Sequence, residues 1–175
     1  MSTVIIAAIL ISVIILISLF LVSINNKHRQ KKITELLNHF SKLGTENNLS
    51  FSSHEILENC IIGLDGIKRK LLILKKIDEH RYDSLLLNLN EVKSCSKKKI
   101  YRSVNIGTEK KEKFENQIDK IVLVFDFIDN RQPVHVLFFE PITNHMLTMS
   151  ELEQKAKNWE TILTKLVNTD LKKIA

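Results

Sequence analysis

Two cysteines, six histidines and a Lys-rich run are the side chains that offer chemistry in this chain. Cys95 stands beside Lys97, Lys98 and Lys99, and neighbouring cations lower a thiol pKa. No histidine is adjacent to serve as a base, and a free cysteine at a strand end explains the same residues. His28, His39, His54, His80, His135 and His145 are scattered singly, and no Cys-x-x-Cys or His-Glu-x-x-His spacing exists, so no metal set is expected. No glycine-rich phosphate loop is present. Asp126 alternates with Phe125 and Phe127, which makes it the solvent face of a strand rather than half of an acid/base pair. No catalytic residue, cofactor or metal is expected. An enzyme with an unrecognised site would draw on His135, Glu140 or His145.

Cations dominate the remainder. Lys and Arg number 26 against 20 acidic residues, a formal charge of +6. From Lys93 to Lys113 there are eight basic and two acidic residues. The residues expected to meet a membrane or a partner are Lys68, Arg69, Lys70, Lys97, Lys98, Lys99 and Arg102. Such a run is either plain solvated surface or a face attracted to anionic headgroups. Nucleic acid is disfavoured, because Arg is scarce, only Tyr101 interleaves, and no recognition motif occurs.

These residues need elements to hold them. The chain has 175 residues, enough for one domain of about 100–150 residues beyond its N-terminal segment. Four Gly and two Pro exclude collagen-like and low-complexity chains, and two Cys exclude a disulfide framework.

The first 26 residues carry no charge. Within them, residues 4–24 form an uncharged run without Gly or Pro, 18 apolar and three Ser. As a helix this run spans roughly 31 Å, a bilayer's hydrocarbon thickness. Lipid forces a helix despite the β-branched content, since backbone groups have no other partner there. A cleaved signal peptide fits poorly: there is no basic n-region, and the apolar core is too long. Lys27, Arg29, Lys31 and Lys32 follow directly, so the positive-inside rule places the N-terminus outside and the C-terminal part in the cytoplasm. Cys60 and Cys95 are then expected as free thiols.

Residues 27–48 read as a juxtamembrane helix or linker. Ile33, Leu36, Leu37, Phe40 and Leu43 share one helical face, and Gly44 is the expected stop. From residue 49 the pattern turns to strands: 49–52, 56–64, 67–77, 85–92, 100–106, 121–128 and 134–139. Asp65-Gly66 is read as the first hairpin turn. Residues 109–120 read as a charged loop or short helix. The last element is a helix, opened by a Ser150/Glu153 capping box. Its apolar stripe is Leu152, Ala156, Trp159, Leu163, Leu166 and Val167, and Lys172 and Lys173 suit its C-terminal dipole. The expected core is Leu71, Ile73, Leu87, Leu89, Val122, Val124, Phe138 and Trp159.

About seven antiparallel strands closed by one amphipathic helix resemble the pleckstrin-homology (PH-like) superfold. That family's closing helix carries a tryptophan, and Trp159, in the run from Glu151 to Leu163, stands where it would be. The resemblance covers residues 49–168. Together with the transmembrane anchor (1–26) and the linker (27–48) read above, it implies an α+β chain whose residues 49–175 form a PH-like barrel or sandwich. It also suggests a small membrane-anchored bacterial protein that binds or scaffolds without catalysis. Lipid recognition in that family uses basic residues around the first hairpin. Here only Lys68, Arg69 and Lys70 follow the turn, short of the family's fuller pattern. The expected partners are the bilayer itself, through residues 4–24, and anionic headgroups or a protein. A structural subunit of a membrane complex is the alternative, and it would show an exposed apolar patch.

Overall fold

The structure, a computed structural model, describes residues 2–78, 81–105 and 114–174. The side chains of much of 2–29, and of 105, 114 and 168–174, lie outside the described set. The chain divides into two compact units, residues 1–47 and 48–175.

The first unit is one helix, α1 (Ser2–Glu46). The anchor and the linker helix expected as two elements are continuous, because no Gly or Pro interrupts the chain before Gly44. Among the described residues no helix is long and apolar enough to cross a membrane. The spanning expectation falls on residues 4–24, most of whose side chains lie outside the described set. The helix runs two residues past Gly44 and ends with Asn47 donating its backbone N–H to the Leu43 carbonyl at 3.1 Å. Asn48 then takes φ 52°, a left-handed conformation that Asn tolerates.

The second unit is α+β. Four strands, β1 (Ser53–Ile56), β2 (Cys60–Asp65), β3 (Lys70–Lys76) and β4 (Tyr82–Asn88), form an antiparallel sheet in chain order. A 3-10 turn (Leu89–Glu91) leads into the second sheet of β5 (Val92–Asn105), β6 (Phe114–Phe127) and β7 (Val134–Phe139), also antiparallel. A 3-10 turn (Met146–Thr148) opens into α2 (Met149–Ile174).

The core follows from strand alternation. Ile62 and Leu64, Leu71 and Ile73, Leu87, Ile121, Leu123 and Phe125, and Val136 and Phe138 face inward. Leu152, Ala156, Trp159, Leu163 and Val167 of α2 close the same cluster. Six of the eight expected core residues lie in it. Val122 and Val124 are buried, but on the other face of β6 from Ile121, Leu123 and Phe125. Residues 121–128 are apolar at nearly every position, so composition did not say which parity points inward.

Several expected elements shift. Residues 49–52 precede β1 rather than forming a strand, and the run 56–64 is broken by a hairpin at Leu57-Glu58-Asn59. Asp65-Gly66 therefore belongs to the second hairpin. That turn spans four residues, and Arg69, not Gly66, takes the left-handed φ of 54°. Gly66 is needed for closeness instead: a Cβ there would lie 3.2 Å from Ser52 Oγ. Residues 114–120, expected as loop or helix, extend β6, because β5 supplies ladder partners from Val92 to Asn105. Leu85, expected to face inward with Leu87 and Leu89, is 39% exposed. Helix α2 starts one residue before Ser150, and the carboxylate of Glu153, expected in a capping box, meets Lys97 and Lys99 instead. The expectations for residues 106–113 and for the Lys172 and Lys173 side chains lie outside the described residues.

Candidate functional site

The seven basic residues split between two places. Lys68 and Arg69 sit in the β2–β3 turn and Lys70 opens β3. That turn is built on Asp65, whose carboxylate accepts backbone N–H groups from Ser50 (2.8 Å), Ile67 (3.1 Å) and Lys68 (2.8 Å). These bonds hold its pKa below the ordinary carboxylate value. Lys68 Nζ donates to the Asn48 carbonyl. Arg69 Nη2 donates to the Leu166 carbonyl of α2 at 2.5 Å.

The second group lies on β5. Alternation turns Lys97 and Lys99 toward α2, where Nζ of each lies 2.7 Å and 2.8 Å from Glu153 Oε1. The Lys97 backbone N–H donates to Glu160 Oε1 at 2.8 Å. The hydrogen bonds from Lys97 and Lys99 lower the Glu153 pKa, and the bond to Glu153 raises that of Lys99. Lys98 points the other way and is exposed. Arg102 pairs with Asp119 across the β5–β6 ladder. The contact points on α2, Glu153 and Leu166, are 13 residues apart, roughly 20 Å along the helix. The two basic groups are therefore separate, and Arg69, Lys97 and Lys99 tie strands and turn to α2.

A concave site lies elsewhere, between the two sheets. A cleft of about 300 Å³ is bounded by the β1–β2 turn (Leu57, Glu58, Asn59), the end of β3, the β7 residues 135–138 and the loop after them. Buried Leu57, Ile73, Val136 and Phe138 form its floor. Cys60 and Lys75, paired in register, stand on the inward side of β2 and β3 where the core ends. The Lys76 backbone N–H donates to the Asn59 carbonyl at 2.8 Å, fixing the turn over β3. Asn144 Nδ2 donates to Glu58 Oε2 at 3.2 Å, and Asn144 Oδ1 accepts the Glu140 N–H at 3.0 Å. Lys120 neutralises Glu140 at 3.0 Å.

Both thiols are free. Burial pushes each up to about 12, outweighing Lys75 at Cys60 and reinforced at Cys95 by the charges of Glu160 and Asp126. The lysines after Cys95 do not activate it, since Lys97 and Lys99 are held by Glu153. His135 and Glu140 line the cleft, while His145 lies in the adjoining loop. Among the described residues no group of three or more His, Cys, Asp or Glu could hold a metal ion.

Sequence reasoning missed Leu57, Cys60, Lys75 and Asn144 as cleft residues. The alternation Leu71, Ile73, Lys75 carried one signal, a cation on the core-facing parity of an apolar strand. The fold and site define a helix-closed, two-sheet α+β domain with a half-open inter-sheet cleft. No protein-family model, curated protein sequence or solved structure matches the chain.

Proposed function

We propose that this chain is a single-pass, membrane-anchored binding or scaffolding module with no catalytic role. Residues 4–24 hold it in the bilayer, with the N-terminus outside and the β domain in the cytoplasm. The observation that carries the reading is one of order. An uncharged 21-residue run is followed at once by Lys27, Arg29, Lys31 and Lys32, and then by a compact unit from residue 48. The PH-like reading of that unit is supported by its four strands, then three, then a closing helix that buries Trp159. The ion pairs around Glu153 support a non-catalytic role, because these charges are used in holding α2 to β5.

The proposed contact is with anionic headgroups or a protein. Tethering raises effective concentration, so a weak contact suffices. Lys98 and Lys68, both exposed, are the cations best placed to add it.

The test is alkaline carbonate extraction of membranes that carry the full chain, with protease applied from outside intact cells. Retention in the pellet with an uncut β domain is expected. Release into the supernatant would remove the anchor, and cleavage from outside would reverse the orientation.

A structural subunit of a membrane complex is the second reading. Ile142 and Leu147 are 81% and 86% exposed in the loop before α2, an apolar surface suited to a neighbouring subunit. Co-purification at fixed stoichiometry, lost on changing both residues to Ser, would favour it.

A further inference from the structure

We propose that the cleft between the sheets binds a single-chain anionic amphiphile, its hydrocarbon chain lying between the sheets and its carboxylate meeting Lys75. The inference goes beyond the membrane anchor and does not depend on it.

The floor of the cleft is apolar and belongs to the continuous core. Leu57, Ile73, Val136 and Phe138 each have one side packed inside the cluster and another lining the open space. Helix α2 covers the core elsewhere, and its residues are absent from this lining. A hydrocarbon chain entering here would extend the core and remove apolar surface from water. The volume, about 300 Å³, lies at the small end of ligand pockets and suits one slender chain better than a sterol or a nucleotide.

The sign of the head group follows from the rim. Glu140 is neutralised by Lys120, and Glu58 accepts from Asn144. Lys75 faces the mouth on the core-facing parity of β3 and forms no ion pair among the described residues, although Asp83 is its register partner on β4. Asn59, Thr143 and Asn144 add amide and hydroxyl groups around it. An anionic head beside an apolar slot matches this set. A cationic head would meet Lys75 and Lys76, while of the two rim carboxylates Glu140 is already neutralised by Lys120.

The experiment uses the full chain, in whichever cell fraction holds it, and a dodecanoate carrying a photoreactive diazirine. Irradiation is followed by peptide mapping, with unlabelled dodecanoate as competitor and the analogous diazirine dodecanol as the neutral control. Adducts in residues 57–60, 73–77 or 135–144, displaced by the competitor and weak for the alcohol, are expected. Lys75→Glu should lower that labelling about tenfold through loss of a charge-assisted contact. Thr143→Trp, at an exposed rim position, should block it while leaving Lys75 in place. Both substitutions sit on the surface, and unchanged melting temperatures would confirm intact folds. Adducts confined to residues 2–46, uniform labelling, or cleft labelling that neither variant alters would overturn the proposal. Since the readout is the position of the adduct, it stands apart from whether carbonate extraction releases the chain.

Discussion

The Glu153 carboxylate of α2 lies 2.7 Å from the ammonium of Lys97 on β5. Lys99 reaches the same oxygen at 2.8 Å, and Glu160 takes the Lys97 backbone N–H about two turns further along the helix. This clamp fixes the helix along the second sheet, with Trp159 directed into the core between its two carboxylates. What reads in sequence as a basic patch is in part the seam that closes the domain.

Removing that carboxylate should loosen the helix. Glu153→Gln is expected to cost about 1–2 kcal/mol, since two partly exposed charged hydrogen bonds are weakened and neither lysine is fully buried. Urea unfolding should show a lower midpoint at an unchanged slope. An unchanged midpoint would mean that the clamp contributes nothing.

The same clamp sets an acid limit. Glu153 and Asp65 both have folded pKa values below their unfolded ones. Their contribution to stability is present above the unfolded carboxylate pKa, near 4, and is lost as pH falls through the lowered folded values. Lys99 is raised, so its contribution is present below its unfolded pKa, near 10.5, and is lost as pH rises through the higher folded value. Thermal melts from pH 7 down to 2 should fall below pH 4–5, and the fall should be shallower in Asp65→Asn. An identical acid profile for that variant would refute Asp65 as a contributor.

Trp159 is 4% exposed and at the centre of the helix–sheet contact. Trp159→Ala should cost about 3–5 kcal/mol, the range for deleting a buried aromatic. Hydrogen exchange should show α2 opening before the sheets. Equal protection loss in all elements would instead mark the domain as one cooperative unit.

Both thiols should be inert while the domain is folded. With pKa values of about 12, the thiolate fraction at pH 8 is on the order of 10⁻⁴ for Cys60 and Cys95. Iodoacetamide should modify them slowly in buffer and rapidly in guanidinium. Fast alkylation of Cys95 in the folded chain would contradict its burial beneath α2.

Basic substitutions should separate into two kinds. Lys98→Gln and Lys68→Gln should each weaken binding to anionic vesicles by up to about fivefold, roughly 1 kcal/mol per surface lysine, and leave melting unchanged. Lys97→Gln and Lys99→Gln should lower the melting temperature. If all four change vesicle binding equally and stability not at all, the assignment of Lys97 and Lys99 to the seam is wrong.

Much was legible from residues alone because the signals are local. The α2 stripe of Leu152, Ala156, Trp159 and Leu163 predicts its buried face, as helical periodicity needs no knowledge of the partner. The hairpin partner at 134–139 was equally readable, because the turn at 129–133 separates it from the apolar run 121–128. The β1–β2 hairpin was not, because Leu57-Glu58-Asn59 lacks Gly and Pro and sits inside an apolar stretch. Residues 114–120 were read as a loop because they are polar and charged, yet they form strand by pairing with β5.

By itself, the sequence determined the uncharged N-terminal run, the basic cluster after it, the antiparallel β character and the closing helix. Each of these depends on composition or on a period of two or 3.6 residues. Only the tertiary structure decided which parity of β6 faces the core, and that Lys97 and Lys99 pair with Glu153. It also brought Leu57, Cys60, Lys75 and Phe138 around one cleft. These facts depend on contacts between segments up to some 80 residues apart, where the choice is made by packing and by neutralising buried charge.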